Sequence, residues 1–103
     1  MDVLVDGGVR RGSDILKAVC LGAKGVGVGR PFQCSVMYGT EGVEAVGEIL
    51  QDELETAMRL CGVTNLGAAR GDLQYLNCSE IERYLPPKPT SGSWLWGALK
   101  ARL

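Results

Sequence analysis

The feature that most constrains this chain is a pair of short apolar segments, each followed by a glycine turn and separated by one helical segment. Val3–Val5 forms a continuous apolar run that stops at Asp6–Gly8, a pattern typical of a strand buried on both faces. Val26 and Val28 lie among glycines and indicate a second strand. Because so few residues separate the two strands, their connection must be a parallel crossover. The sequence therefore predicts a βαβ unit.

The helix between the two strands is predicted from its cap and its spacing. Ser13 or Asp14 can serve as the N-cap, and Gly22 lies where a helix normally ends. The apolar residues between them recur three and four apart, at Ile15, Ala18 and Val19. This spacing indicates a helix of about two to three turns.

Glycines and arginines gather at the predicted carboxyl ends of both strands, where parallel sheets and barrels bind ligands. These residues are Gly7, Gly8, Gly29, Arg10 and Arg30. The glycines let backbone N–H groups approach a ligand closely, and guanidinium groups suit phosphate oxygens. Pro31 suits the first position of a helix whose N-terminus would face the same anion. The pattern predicts an anionic ligand, with phosphate as the first candidate; the alternative is that the glycines only form tight turns and the arginines are solvated.

A family resemblance is carried by D-G-G-V-R-R-G-S-D-I-L-K-A, residues 6–18, and by L-G-A-K-G-V-G-V-G-R-P-F, residues 21–32. These runs resemble the C-terminal end of FMN-dependent 2-hydroxy-acid dehydrogenases and oxidases, the family of glycolate oxidase and flavocytochrome-type L-lactate dehydrogenase. Val43–Leu66 resembles the last barrel helix of that family and the turn after it. The resemblance implies an α/β fold, a (β/α)8 TIM barrel that holds FMN and oxidises a 2-hydroxy acid of the L-lactate or glycolate type to the 2-oxo acid.

The resemblance also implies which residues contact the cofactor. By position, the segment after the first strand lines the ribityl phosphate arm of FMN, and the turn after the second strand holds the phosphate. The residues so implied are Asp6, Gly7, Gly8, Val9, Arg10, Gly29 and Arg30. The catalytic base of the family is a histidine on an upstream segment, and this chain contains no histidine. We therefore expect no catalytic residue here and no activity from the chain alone.

The length of 103 residues is far below the approximately 250 residues of a barrel. We expect residues 1–66 to supply the last two βα units, residues 67–103 to form an irregular tail, and the full-length protein to be a homo-oligomer. Three alternatives stay open: a fragment of another phosphate-binding barrel resembling IMP dehydrogenase, a noncatalytic remnant, or a phosphate-binding or interaction module. Gly29–Phe32 argues against the IMP dehydrogenase resemblance.

Composition excludes several other classes of function. The chain has 11 basic and 12 acidic residues, so no nucleic-acid-binding patch is expected. Its apolar runs fall short of the approximately 18 residues that span a bilayer. With no histidine and no C-x-x-C pair, a metal site is not expected, and we predict reduced, mostly buried thiols. The four cysteines are Cys20, Cys34, Cys61 and Cys78.

A short helix, Phe32–Met37, is predicted directly behind the second glycine turn, and a long amphipathic helix is predicted after it. Thr40 is the expected N-cap, and Gly62 closes the helix. Its apolar stripe recurs at intervals of three and four, at Val43, Val46, Leu50, Leu54, Ala57 and Cys61. Four acidic residues fall off this stripe and are expected on a solvated face: Glu48, Asp52, Glu53 and Glu55.

The C-terminal third is less regular. The segment Thr64–Leu66 can cap a short last helix, which Gly67 and Gly71 interrupt. A proline-rich segment begins at Pro86 and precedes an apolar cluster near the C-terminus. Ala101–Leu103 fits the small, basic, leucine pattern related to the S-K-L peroxisomal signal. We expect a peroxisomal protein, with cytoplasm and mitochondrion as alternatives.

Overall fold

The computed structural model describes residues 1–85. The predictions for residues 86–103, including the apolar cluster and the C-terminal tripeptide, lie outside the described residues. The elements in chain order are β1 (Leu4–Asp6), α1 (Gly12–Cys20), β2 (Gly25–Gly27), α2 (Arg30–Ser35), a 3-10 turn (Val36–Tyr38), α3 (Gly39–Cys61), α4 (Leu66–Ala69), a second 3-10 turn (Leu73–Tyr75) and α5 (Ser79–Glu82).

The predicted βαβ unit is present. Strands β1 and β2 pair in parallel, with Val5 opposite Val26 and Asp6 opposite Gly27. The prediction that the first strand is buried on both faces is wrong, since Leu4 is 75% exposed and Val5 is 36% exposed. The reason is that the sheet within residues 1–85 has only these two strands, so no further strand extends it and no element covers both of its faces.

The N-cap of helix α1 lies two residues before Ser13 and three before Asp14, the two predicted caps. Arg11 is the N-cap residue and Gly12 the first helical residue. Asp14 still caps the helix, but from inside the first turn: its Oδ2 accepts hydrogen bonds from the N–H groups of Arg10 and Arg11, both at 3.2 Å. Gly22 lies past the end of the helix with a φ of 113°, as the sequence predicted.

The short helix and the long amphipathic helix that follow β2 are confirmed as α2 and α3. The predicted N-cap of α3 is wrong, because the helix already begins at Gly39 and Thr40 lies inside it. Gly62 ends α3 in the left-handed conformation, with a φ of 75°. None of the helices between residues 1 and 85 combines the length and apolar character needed to cross a membrane.

The core lies where α1, α3 and the segment after α3 meet. Its buried residues are Leu16, Cys20, Val63 and Ala69, and partly buried side chains pack against them, among them Leu54, Met58, Tyr75 and Leu76. The cap of α4 lies within the predicted segment, at Asn65, whose Oδ1 accepts hydrogen bonds from the N–H groups of Gly67, at 2.9 Å, and Ala68, at 3.3 Å. This cluster packs α1 against α3.

The four thiols are free, but the expectation that most are buried is wrong. Cys20 is buried, Cys78 is half-buried, and Cys34 and Cys61 are exposed. Burial raises the pKa of the Cys20 thiol. Cys61 lies at the end of the apolar stripe of α3, where the helix leaves the core.

Candidate functional site

A cleft of about 530 Å³ opens beyond the carboxyl ends of β1 and β2. Its lining includes all seven residues that the sequence predicted for the cofactor: Asp6, Gly7, Gly8, Val9, Arg10, Gly29 and Arg30. The structure adds Gly27, Pro31 and Cys34 to this set. The two parallel strands end at the same edge of the sheet, which is why the two glycine turns share one cleft.

The turn after β1 leaves open space above its backbone. Gly7 and Gly8 have φ values of 94° and 73°, a region that side chains with a Cβ atom rarely adopt. A Cβ atom built on either glycine would meet nothing within 4 Å. Asp6 Oδ1 accepts a hydrogen bond of 2.7 Å from the Gly7 N–H group, so the carboxylate is fixed at the base of the turn. Val9, only 8% exposed, anchors the other end.

Two guanidinium groups in the cleft have no carboxylate partner among residues 1–85. Residues 1–85 contain eight lysines and arginines, and five of them pair with carboxylates: Arg11, Lys17, Lys24, Arg59 and Arg70. Within the described part of the chain, the side chains of Arg10 and Arg30 have no hydrogen-bond or ion-pair partner, and both line the cleft. Their positive charge is therefore available to an anion.

The start of α1 is already occupied by carboxylates of the protein itself. Asp14 accepts from the N–H groups of Arg10 and Arg11, and Glu53 Oε2 accepts from the Gly12 N–H group at 2.9 Å. The three successive N–H groups are thus satisfied, and an anion in the cleft depends on side chains rather than on these backbone donors.

Glu53 is the residue near the site that sequence reasoning missed. It was expected on the solvated face of α3, yet its side chain is only 29% exposed and reaches α1. The pKa of the Glu53 carboxyl is lowered, first by the hydrogen bond from the Gly12 N–H group and then by the Arg11 guanidinium. Arg11 Nη2 lies 3.0 Å from Glu53 Oε1. The partner N–H group lies 41 positions away in the chain, so no local spacing signals this contact.

Helix α2 begins directly at the second glycine turn and presents Arg30 and Cys34 to the cleft. These residues are four apart and lie on one face of the helix. Cys34 is an exposed free thiol. No group of three His, Cys, Asp or Glu residues in the described part of the chain is arranged to hold a metal ion.

The donor set fits a phosphate monoester that carries hydroxyl groups. The guanidinium groups of Arg10 and Arg30, which have no carboxylate partner in the described part of the chain, suit phosphate oxygens, and the Asp6 carboxylate can accept hydrogen bonds from hydroxyls. The cleft volume falls within the range of about 300–1,000 Å³ that is typical of small-molecule sites.

A family model and the sequences of known relatives point to the same protein family. Residues 1–75 match the family model described as FMN-dependent dehydrogenase. The chain is 60% identical over 74 residues to L-lactate dehydrogenase (cytochrome) of Saccharomyces cerevisiae. This match covers 71% of the chain and 12% of the yeast protein. It is 53% identical over 66 residues to a peroxisomal (S)-2-hydroxy-acid oxidase of Oryza sativa subsp. japonica, covering 63% of this chain and 18% of the oxidase.

Solved structures agree with these relatives. A mutant flavocytochrome b2 with benzoylformate superposes with a TM-score of 0.66 at 46% identity, over 89% of this chain and 27% of that one. A double mutant of flavocytochrome b2 with pyruvate bound gives the same TM-score of 0.66 and 46% identity. The chain thus spans between 12% and 18% of the length of the two curated relatives described above.

Proposed function

Because this chain belongs to the FMN-dependent dehydrogenase family, we propose that its cleft holds the phosphate end of FMN. Arg10 and Arg30 are the charged contacts, and the glycine turns let the backbone approach the cofactor closely. The residues proposed to contact FMN are Asp6, Gly7, Gly8, Val9, Arg10, Gly29 and Arg30. The observation that carries this proposal is the pair of guanidinium groups that line one cleft without a carboxylate partner among residues 1–85.

The activity proposed for a protein that contains this segment is oxidation of a 2-hydroxy acid, of the L-lactate or glycolate type, to the 2-oxo acid. The names of the yeast and rice relatives support this substrate class. Benzoylformate and pyruvate, bound in the two flavocytochrome b2 structures, are themselves 2-oxo acids. Bound FMN supplies the acceptor for the hydride of the α-carbon. The residues of this chain bind and orient the phosphate arm, as the last two βα units of a (β/α)8 barrel.

The phosphate assignment is tested by titrating FMN into the 103-residue chain and following flavin fluorescence. Losing one charge-assisted contact costs about 1.5–3 kcal/mol, or roughly ten- to a hundredfold in affinity. Arg30→Ala and Arg10→Ala should each weaken FMN binding by that factor. Arg83→Ala is the matched control, because its guanidinium also lacks a partner among residues 1–85 but does not line the cleft. Unchanged FMN affinity in Arg30→Ala would show that the assignment is wrong.

We further propose a peroxisomal location for this protein. The rice relative is named as peroxisomal, and the C-terminal Ala101–Leu103 fits the pattern of a peroxisomal signal. A fluorescent protein fused to the N-terminus of the chain should colocalise with peroxisomes and lose that location when the three residues are deleted. The same distribution with and without the tripeptide would favour the cytoplasm or mitochondrion.

A further inference from the structure

The turn that carries Arg10 is fastened to the long helix α3 by a single carboxylate. Glu53 Oε2 accepts the Gly12 N–H group at 2.9 Å, and Glu53 Oε1 accepts from Arg11 Nη2 at 3.0 Å. These two contacts lie directly after Arg10 in the chain. The position of the Arg10 backbone is therefore linked to a residue more than 40 positions away.

Backbone packing makes this contact specific. A Cβ atom built on Gly12 would lie 2.6 Å from the Glu53 carbonyl carbon, so the first residue of α1 rests directly on the α3 backbone at Glu53. Only the hydrogen atoms of glycine allow this approach. The carboxylate of Glu53 is consequently held beside the start of α1.

The hydrogen bond from the Gly12 N–H group contributes more to holding the start of α1 against α3 than the ion pair of Glu53 with Arg11 does. The Arg11 side chain is 72% exposed, and ion pairs of exposed side chains contribute little. Both bonds are charge-assisted, but the bond from the Gly12 N–H group is also partly buried, which makes it the stronger of the two. It also satisfies a helix N-terminus that would otherwise attract an anion.

We propose that Glu53 is a positioning residue for the phosphate cleft: by occupying the N-terminus of α1 it fixes the turn that presents Arg10 and leaves a bound phosphate to the side chains of Arg10 and Arg30. This proposal rests on the proposed function of the cleft. Glu53 does not line the cleft itself and acts through Gly12.

Two conservative substitutions separate positioning from charge. Glu53→Gln keeps the length of the side chain and an oxygen that can accept the Gly12 N–H group, but it loses the charge. Glu53→Asp keeps the charge, but its side chain is one methylene shorter, which moves the accepting oxygen away from the Gly12 N–H group. Positioning predicts that Glu53→Asp weakens FMN binding by about three- to tenfold, as for partial loss of one charge-assisted contact, while Glu53→Gln binds close to the parent value. The reverse order would overturn the proposal.

Riboflavin provides the readout that a general loss of structure would not give. Riboflavin lacks the phosphate, so its affinity should be the same in Glu53→Asp and in the parent, whereas the affinity for FMN falls. Glu55→Ala is the control on the same helix, because among residues 1–85 the Glu55 carboxylate accepts hydrogen bonds only from Gln51 and Arg59, both in α3. Equal losses for FMN and riboflavin would show a structural role only and overturn the proposal.

A double-mutant cycle tests whether Glu53 acts through Arg10. In the Arg10→Ala background, Glu53→Asp should cause no further loss of FMN affinity. Additive losses would contradict the proposal. If the parent chain does not prefer FMN over riboflavin, the proposed function itself fails; if Arg10→Ala weakens FMN binding and Glu53→Asp does not, only the positioning role fails.

Discussion

Replacing Gly12 by alanine should push α1 away from α3. The added Cβ atom would meet the Leu54 backbone nitrogen and would lie 2.6 Å from the Glu53 carbonyl carbon and 2.7 Å from Glu53 Cβ. Two of these three neighbours are backbone atoms of a 23-residue helix, which cannot rotate aside. The two helices must separate, and the hydrogen bond from Gly12 to Glu53 must lengthen.

The expected magnitude follows from two opposing effects. Overpacking a close contact costs about 1–3 kcal/mol. Alanine gains at most about 0.5–1 kcal/mol over glycine in a helix interior, and less at the first helical residue. Gly12→Ala should therefore destabilise the chain by about 1–2 kcal/mol. Gly47 provides the matched control in α3, because a Cβ atom there meets nothing within 4 Å. Gly47→Ala should stabilise the chain by about 0.5–1 kcal/mol.

Urea unfolding followed by far-UV circular dichroism measures both effects. The urea concentration at the unfolding midpoint should fall for Gly12→Ala and rise for Gly47→Ala. The same glycine-to-alanine change should therefore have opposite effects on stability at the two helical sites. A midpoint for Gly12→Ala at or above that of the parent would refute the close approach of α1 and α3. It would also remove the packing argument for Glu53 as a positioning residue.

Saturating FMN should slow alkylation of Cys34, which lines the cleft, and leave the exposed Cys61 at its original rate; equal protection of both thiols would place FMN elsewhere. The Gly12 N–H group and the Arg11 guanidinium lower the pKa of Glu53, so its contribution to stability should be complete above the ordinary glutamate pKa of about 4.3 and be lost as pH falls through the lower folded value. Acid titration of the parent and of Glu53→Gln should differ in that window, and superimposable curves would contradict the assignment. Finally, the chain with FMN, L-lactate or glycolate and a dye acceptor should show no turnover above free FMN, because it has no histidine to act as base; clear turnover would disprove this.

Local spacing was enough to predict the element order around the cleft. A continuous apolar run, a glycine turn and a short three-and-four repeat predicted β1, α1 and β2, and the helix between the strands is the crossover that their parallel pairing requires. Gly22 and Gly62 marked the ends of α1 and α3 correctly, because a left-handed residue after a helix favours glycine. The FMN-dependent family and its cofactor, expected from residues 6–32, are confirmed.

The predicted site residues come together for a topological reason. Strands that run in parallel end at one edge, so the segments after β1 and β2 meet there even though Arg10 and Arg30 are 20 positions apart in the sequence. Their contact with FMN itself stays a prediction, and so does the division of the chain at residue 66.

Two of the wrong predictions, for Glu53 and Leu4, concern contacts between distant parts of the chain, whereas the one for Thr40 is a local error at the start of α3. Glu53 has the spacing of a solvated residue on α3, yet it meets Gly12 because two helices cross there. Leu4 reads as a buried strand residue but is 75% exposed, since burial depends on neighbouring elements and not on its own apolar run. Thr40 has the chemistry of an N-cap, but α3 already begins at Gly39 after the 3-10 turn. One-dimensional patterns carry no information about such neighbours.

The most direct test of the cleft as a phosphate site compares FMN with riboflavin, which lacks only the phosphate group. Equilibrium titration of the chain with each flavin should give an FMN affinity higher by about tenfold or more, the value of at least one charge-assisted contact. The difference should disappear when Arg10 and Arg30 are both replaced by alanine. Equal affinity of the unaltered chain for the two flavins would contradict the account.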